Sequence, residues 1–146
     1  DIDNTLANTW EYIKTQKNLN KKISYIDIPL LTNTINHTKA NYPNLPIIFI
    51  SHRNIFTLIE TNKWIKRNIT QENNLLILVS KPSDKLLYLN FILKKYKIVY
   101  YDDLSYNHEN GKVLYYDKII QKVKKMNLVY YDYSFIKKLN TKKNDK

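Results

Sequence analysis

Four short apolar runs punctuate the chain, Ile47 to Ile50, Leu75 to Val79, Ile98 to Tyr101 and Leu128 to Tyr131, each rich in β-branched or aromatic residues. Their apolar positions are continuous rather than alternating, the pattern of strands buried on both faces of a parallel sheet. Helical signals lie between them. Asp27 is placed to cap a helix with Pro29 in its first turn, running towards Ala40 and stopped by Pro43. Asn54 caps a second through Lys66, Ser83 a third through Lys95, and a fourth spans Asp117 to Met126 ahead of the last strand. Strands alternating with helices predict an α/β domain, a three-layer, Rossmann-like parallel sheet with helices on both faces. The domain is expected over residues 1–136, with the polar, charged run 137–146 as a frayed tail.

Open α/β sheets collect their ligands at the carboxyl ends of the strands, and there the polar residues of this chain concentrate. Ser51 follows the first run, Ser80 and Lys81 the second, and Asp102-Asp103 the third, while the chain opens with Asp1-Ile2-Asp3-Asn4-Thr5-Leu6. With Gly111 as the single glycine, phosphate-cradling GxGxxG and Walker loops are excluded.

Composition narrows the setting. A chain of 146 residues with 43% hydrophobic content has enough apolar surface for one core. The absence of cysteine removes disulfides, thiolate chemistry and Cys-based zinc sites. No run approaches the roughly eighteen apolar residues of a membrane span, and the N-terminus lacks the pattern of a signal peptide. The chain therefore reads as soluble and cytoplasmic, with no membrane partner. A net charge of +11 favours polyanionic partners, nucleic acid among them. That charge is nearly all lysine, however, with Arg53 and Arg67 the only arginines, in a chain crowded with Asn, Ile and Tyr. An AT-rich genome would place the same residues at any tolerant surface position, so charge alone does not establish the partner.

Asp1-Ile2-Asp3-Asn4-Thr5-Leu6 resembles the first motif of the haloacid dehalogenase (HAD) superfamily, DxDx[TV] followed by an apolar residue. Ile47-Ile48-Phe49-Ile50-Ser51 resembles the second, an apolar strand ending in Ser or Thr; Lys81 or Lys85 meets the third, a lysine opening a helix; Asp102-Asp103 meets the fourth, an acidic pair ending a strand. All four stand in the family's order between Asp1 and Asp103. The resemblance implies a Mg²⁺-dependent phosphomonoester hydrolase with an HAD-like fold. Asp1 would be the nucleophile that forms an aspartyl-phosphate, and Asp3 the general acid/base. Mg²⁺ would be held by Asp1, the backbone carbonyl of Asp3 and Asp102, with Asp103 completing the acidic cluster; Ser51 and the lysine would meet the transferring phosphoryl group, and Thr5 the substrate. A phosphomonoester dianion repels nucleophiles, so a cation, fixed positive groups and an in-line carboxylate are what the chemistry needs. Within the family a carboxylate two residues after the nucleophile points to phosphatase or phosphomutase chemistry rather than dehalogenation.

Two lysines compete for the third motif. Lys81, in Ser80-Lys81-Pro82, is similar to the Lys-Pro form of many family phosphatases; Lys85 is similar to the form in which lysine follows a short capping turn, and a cap at Ser83 would aim its stem at the strand ends. Ser51-His52-Arg53-Asn54 followed by Thr61-Asn62-Lys63-Trp64-Ile65 resembles a segment of members without a cap, including the phosphatase half of polynucleotide kinase-phosphatases, which implies that Arg53 contacts substrate phosphate. A surface ion pair is the competing role for Arg53. His37, His52 and His108 are too scattered for a metal site and read as ordinary polar residues. Trp10 and Trp64 read as packing residues, and the tyrosine pairs at 100–101, 115–116 and 130–131 as core and cover of strands.

Cap insertions in this family enter after the first motif or between the second and third. Leu6 to Pro46 reads as a short polar stretch and one helix, and Ser51 to Lys81 as one helix and one strand, so no large cap domain is expected. An uncovered site admits a nucleic-acid end as well as a phosphorylated small molecule. The family also places an apolar strand ahead of the nucleophile; here the sequence opens at Asp1, so the first strand is expected to be missing and Asp1 to sit on a fraying terminus. The alternative reading is a non-catalytic phosphate- or nucleic-acid-binding module, or an inactive fragment, whose acidic cluster is structural. A metal nuclease is a third, against which Ser51 and the lysine argue.

Overall fold

The computed structural model describes residues 1–70 and 74–141. Its elements are α1 (Thr9–Asn18), α2 (Thr32–Asn41), β1 (Ile48–Ser51), α3 (Leu58–Asn68), β2 (Leu75–Leu78), α4 (Lys85–Leu93), β3 (Val99–Tyr101), β4 (Ser105–Tyr106), β5 (Leu114–Tyr115), α5 (Asp117–Lys124), β6 (Val129–Tyr131) and α6 (Tyr133–Thr141). The chain is α/β, and all four apolar runs form strands. β1 pairs in parallel with β2, Ile48 opposite Leu75, and β3 in parallel with β6, Val99 opposite Val129. A small antiparallel hairpin, β4–β5, follows the acidic pair.

The single sheet expected from the sequence is divided into two parallel pairs. Residues of β1 and β3 line an apolar slot of about 650 Å³, together with Ile35, Leu89 and Ile92. Asp1 to Ala7 do not fill it as a strand, because the chain turns on itself: the Ile2 carbonyl accepts from the amides of Thr5 (3.3 Å), Leu6 (2.9 Å) and Ala7 (2.9 Å). Each pair has its own core. Ile2, Leu6, Ile28, Phe49, Trp64 and Ile65 gather on the β1 side, and Leu89, Tyr100, Leu104 and Val123 on the β3 side. The tyrosines sort as their register requires, Tyr100 stacking on Tyr130 and Tyr101 on Tyr131 from alternate faces.

Several helix boundaries differ from expectation for identifiable reasons. Asp27 ends a 3-10 turn instead of capping α2, since residues 28–31 are tied in extended form to the N-terminal loop by Asn8 N–H to Pro29 O (2.8 Å) and Leu31 N–H to Leu6 O (2.6 Å). α2 then starts at Thr32. Ser83 lies inside a 3-10 turn, Pro82–Asp84, and the turn is closed by Asp84, whose Oδ2 accepts from Lys81 N–H at 3.2 Å. α4 ends at Leu93 and α5 at Lys124, each two residues short of its expected end. α1 was not expected, because only Thr9 and Ile13 of its ten residues are buried and its apolar stripe is thin. α6 runs five residues into the expected tail: Ile136 is buried, and Asn140 Nδ2 donates to Thr34 Oγ1 (2.8 Å) while Asn33 Nδ2 donates to Leu139 O (2.9 Å). The remainder of that tail, 142–146, lies outside the described residues.

The helix expected from Asn54 to Lys66 begins later and ends later: Asn54, accepting from Phe56 N–H at 3.0 Å, caps a 3-10 turn, Ile55–Thr57, and α3 follows from Leu58 to Asn68 with Thr61, Trp64 and Ile65, at helical spacing, as its buried face. Trp64 is fully buried and its indole donates to the Ile28 carbonyl at 2.7 Å, stapling α3 to the segment that leads into α2. Replacing Trp64 with Phe strips that carbonyl of its donor and leaves space behind. Urea denaturation is expected to show a loss of about 1–3 kcal/mol from the unmet acceptor, with any cavity cost added; unchanged stability would mean that the staple is idle.

Candidate active site

The loop between Asp1 and α1 turns through Asn4 in the left-handed region, at φ +53°, which lets both of its carboxylates approach the strand ends. Asp3 is met by three short hydrogen bonds, besides a long one from Ser51. Thr9 Oγ1, at the start of α1, lies 2.6 Å from Oδ1; Arg53, two residues beyond β1, places Nε 2.7 Å from Oδ2 and Nη2 2.5 Å from Oδ1. The guanidinium is itself anchored, through Nη1 to Thr61 Oγ1 at 3.0 Å and over the Tyr25 ring at 5.2 Å. Burial alone pushes the Asp3 carboxyl up, but the bidentate Arg53 contact and the Thr9 bond outweigh it and hold the group below its ordinary 3.8. Arg53 is 8% exposed, so the surface ion pair considered for it is not what forms.

A second cluster hangs from β3. Asp102 and Asp103 precede Leu104, a buried residue at φ +41°, a conformation that costs a bulky side chain and here turns both carboxylates inward. Leu104 N–H donates to Asp102 Oδ1 at 2.9 Å; Lys85 Nζ lies 2.7 Å from Asp102 Oδ2, and the Tyr100 hydroxyl donates to the same oxygen. Burial would raise the Asp102 pKa, yet the Lys85 ammonium leads the opposing effects and keeps it below 3.8. Tyr100, pushed well above 10.0 by burial and by Asp102, stays a donor. Lys85 Nζ is also 3.1 Å from Asp1 Oδ1.

The structure thus separates the two lysines. Lys85, the first residue of α4 and 3% exposed, bridges Asp1 and Asp102, whereas Lys81 is exposed and outside the cluster. Ser51 is fully buried with Oγ 3.5 Å from Asp3 Oδ2, a long contact. Thr5, expected beside substrate, is fully buried and engaged with Asp103, donating to Oδ1 and accepting from its N–H, both at 3.2 Å. Asp1 is not frayed: its amino group donates to Tyr101 O at 2.7 Å, and burial, with Lys85 adding, lowers that group's pKa from 8.0 to about 6 against the opposing nearby carboxylates.

Four participants were not expected at the site: Tyr100 and His108 read from the sequence as strand packing and as an ordinary polar residue, and Thr9 and Ser105 carry no reading. Tyr100 was legible in principle, since residues two apart on a strand share a face and Tyr100 precedes Asp102 by two. Thr9, Ser105 and His108 carry no such pattern. The Ser105 hydroxyl donates to Asp103 Oδ2, and His108 Nε2 lies 2.7 Å from that hydroxyl. The other histidines keep ordinary roles, His37 bonded to the Tyr101 hydroxyl (2.8 Å) and His52 to Ser80 O (3.1 Å).

Oxygens of Asp1, Asp102 and Asp103 lie within 4.8 Å of one another. Asp1 Oδ1 is buried and, despite the nearby ammonium, makes no hydrogen bond. Among the described residues, the four carboxylates there face two cationic side chains, Lys85 and Arg53. Buried charge left uncompensated is costly, and an all-oxygen donor set suits a hard divalent cation, without distinguishing Mg²⁺ from its neighbours. No helix among the described residues is long and apolar enough to cross a membrane. The chain matches no protein-family model, no curated protein and no solved structure.

Three outcomes follow from this geometry. Lys85→Met strands buried carboxylates without their counter-charge and is expected to cost about 3–5 kcal/mol in urea denaturation with EDTA, whereas Lys81→Met should stay within about 0.5 kcal/mol. The Asp3 and Asp102 pKa values lie below those of the unfolded chain, so their stabilisation is present above about pH 4 and is lost as pH falls through the folded values. Arg53→Met leaves burial dominant at Asp3: its pKa, followed by carboxyl ¹³C NMR, should rise above 3.8. The Asp3 contribution then reverses sign, weakening the fold as pH rises through the new value. An unmoved Asp3 titration would refute the clamp.

Proposed function

We propose that this chain is a Mg²⁺-dependent phosphomonoester hydrolase of the haloacid dehalogenase type. The observation that carries the reading is the buried cluster of Asp1, Asp102 and Asp103 oxygens within 4.8 Å, with Lys85 bridging two of them and Asp3 and Arg53 beside it. Asp1, Asp102 and Asp103 are the residues that would hold the cation, together with the Asp3 carbonyl. When bound, Mg²⁺ supplies neutralisation of phosphoryl charge and a template for in-line attack.

Asp1 forms a bond to phosphorus while the bond to the ester oxygen breaks, and Asp3 gives its proton to the departing oxygen. A water then attacks phosphorus, its proton passing to Asp3, and the acyl-phosphate bond breaks to release inorganic phosphate and the Asp1 carboxylate. Lys85 holds Asp1 in place, and Ser51 offers a hydroxyl to the phosphoryl oxygens. The non-catalytic alternative is favoured by one observation: Arg53 holds Asp3 ionised, which denies it the proton the first step requires.

An aryl phosphate assay separates the two. Turnover is expected with Mg²⁺ and not with EDTA; Asp1→Asn should abolish it, and Asp3→Asn should lower kcat by about 10²–10⁴-fold while Mg²⁺ still binds. Ca²⁺ should inhibit through its larger, looser shell. Activity retained in Asp1→Asn, or at full rate in EDTA, would refute the hydrolase. Running a 3′-phosphorylated oligonucleotide beside a mononucleotide distinguishes the substrate class. A nucleic-acid end predicts higher kcat/KM on the oligonucleotide with a steep salt dependence, and a small molecule predicts a flat one.

A further inference from the structure

The hairpin that follows the acidic pair brings Ser105 and His108 against Asp103, and the hydrogen bonds there have a definite polarity. An ionised carboxylate only accepts, so the Ser105 hydroxyl proton must point at Asp103 Oδ2. The 2.7 Å contact between Ser105 Oγ and His108 Nε2 then has one remaining sense, with Nε2–H donating to the hydroxyl oxygen. His108 Nε2 also lies 3.7 Å from Asp103 Oδ2 itself. The ring is held from its face by Trp10 of α1, with centroids 5.9 Å apart and planes 13° from parallel. On the opposite side of the carboxylate, Thr5 occupies Oδ1. Asp103 is therefore gripped at both oxygens, by the N-terminal loop on one and by a serine–histidine relay on the other.

We propose that Ser105 and His108 are positioning residues that orient Asp103 for the divalent cation, through a relay running from His108 Nε2–H to Ser105 Oγ–H to Asp103 Oδ2. This rests on the cation-binding reading of the cluster. The β4–β5 hairpin is then the element that delivers the relay, and Trp10 transmits the position of α1 to it. Partners behind a ligand carboxylate matter because they fix which oxygen faces the ion; their loss typically costs about 10–100-fold in metal affinity.

The test measures Mn²⁺ binding to the full chain by electron paramagnetic resonance, without turnover, alongside ¹⁵N NMR of the His108 ring. His108→Phe keeps a ring against Trp10 but removes the donor, and Ser105→Ala removes the relay's middle member. Each should weaken Mn²⁺ binding by about 10–100-fold. His108→Gln, which can present an N–H towards Ser105, should recover most of that loss. In the unsubstituted chain the neutral His108 ring should carry its proton on Nε2 with Nδ1 bare. Wild-type Mn²⁺ affinity in His108→Phe, or a neutral ring protonated on Nδ1, overturns the relay. Failure of the unsubstituted chain to bind Mn²⁺ overturns both the relay and the cation reading. Mn²⁺ binding that is weakened as expected in a chain that hydrolyses no phosphoester refutes the hydrolase and leaves the relay standing.

Discussion

A buried ammonium holds this site together. The Asp1 and Asp102 side chains are 8% and 1% exposed, and Lys85 between them is 4% exposed. Two like charges about 4 Å apart near a protein surface repel by about 4 kcal/mol, so the pair could not both be charged at little cost in such surroundings without a counter-charge. Lys85 is delivered by a device that is mostly apolar. The Pro82–Asp84 turn ends where α4 begins, and Leu89, one helical turn beyond Lys85, is buried against Tyr100. Packing of Leu89 fixes the helix in rotation, and spacing of i, i+4 then carries Lys85 to the end of β3. The core and the charge network hold the same helix in the same register.

That arrangement helps to join two halves that α2 also links, through His37 to the Tyr101 hydroxyl and Thr34 to Asn140 of α6. β1 contributes Ser51 and, just beyond it, Arg53; β3 contributes the acidic pair; each half packs on its own core. The Asp1–Thr9 loop crosses between them, with Ile2 and Leu6 in the first core, Asp1 on Lys85 and Thr5 on Asp103. Both loops that bear carboxylates pass through a left-handed residue, Asn4 in one and Leu104 in the other. Asparagine adopts that conformation at small cost, whereas a buried leucine does so only where surrounding contacts compel it.

The sequence exposed the strands and most of the site because both are written locally. A short continuous apolar run announces a strand, although β2 and β6 are only partly buried, with Leu75 and Val129 about half exposed instead of covered on both faces, and the polar residue ending the run inherits the strand's carboxyl end. Lys85 over Lys81 was also foreseeable, since the residue that follows a capping turn faces the helix's own first turn, although Asp84 rather than Ser83 closes that turn. What escaped depends on distant partners. α1 has too thin an apolar face to announce itself, α6 is held through Thr34 on another helix, and the sheet divides because residues 1–7 coil around one carbonyl. His108 reads as an isolated polar residue until the hairpin places it beside Ser105 and Trp10. No spacing rule links positions that meet only through a turn and a neighbouring helix.

The Arg53–Asp3 pair decides how the free protein relates to the proposed reaction. As it stands, Asp3 is an anion whose two oxygens both accept from the guanidinium, a poor state for the proton donor that the proposed reaction needs. A phosphoryl dianion offers the same planar fork more charge and more acceptor oxygens, so exchange of Arg53 from carboxylate to phosphate conserves its hydrogen bonds. Were Arg53 to leave, burial would favour the neutral carboxyl, and Asp3 would gain affinity for the proton that the proposed first step requires. Under that proposal, arrival of substrate and arming of the acid would be one event, driven by competition for a single guanidinium, and the tight pair in the free state would be a resting arrangement that a phosphate-bearing ligand has the charge to open.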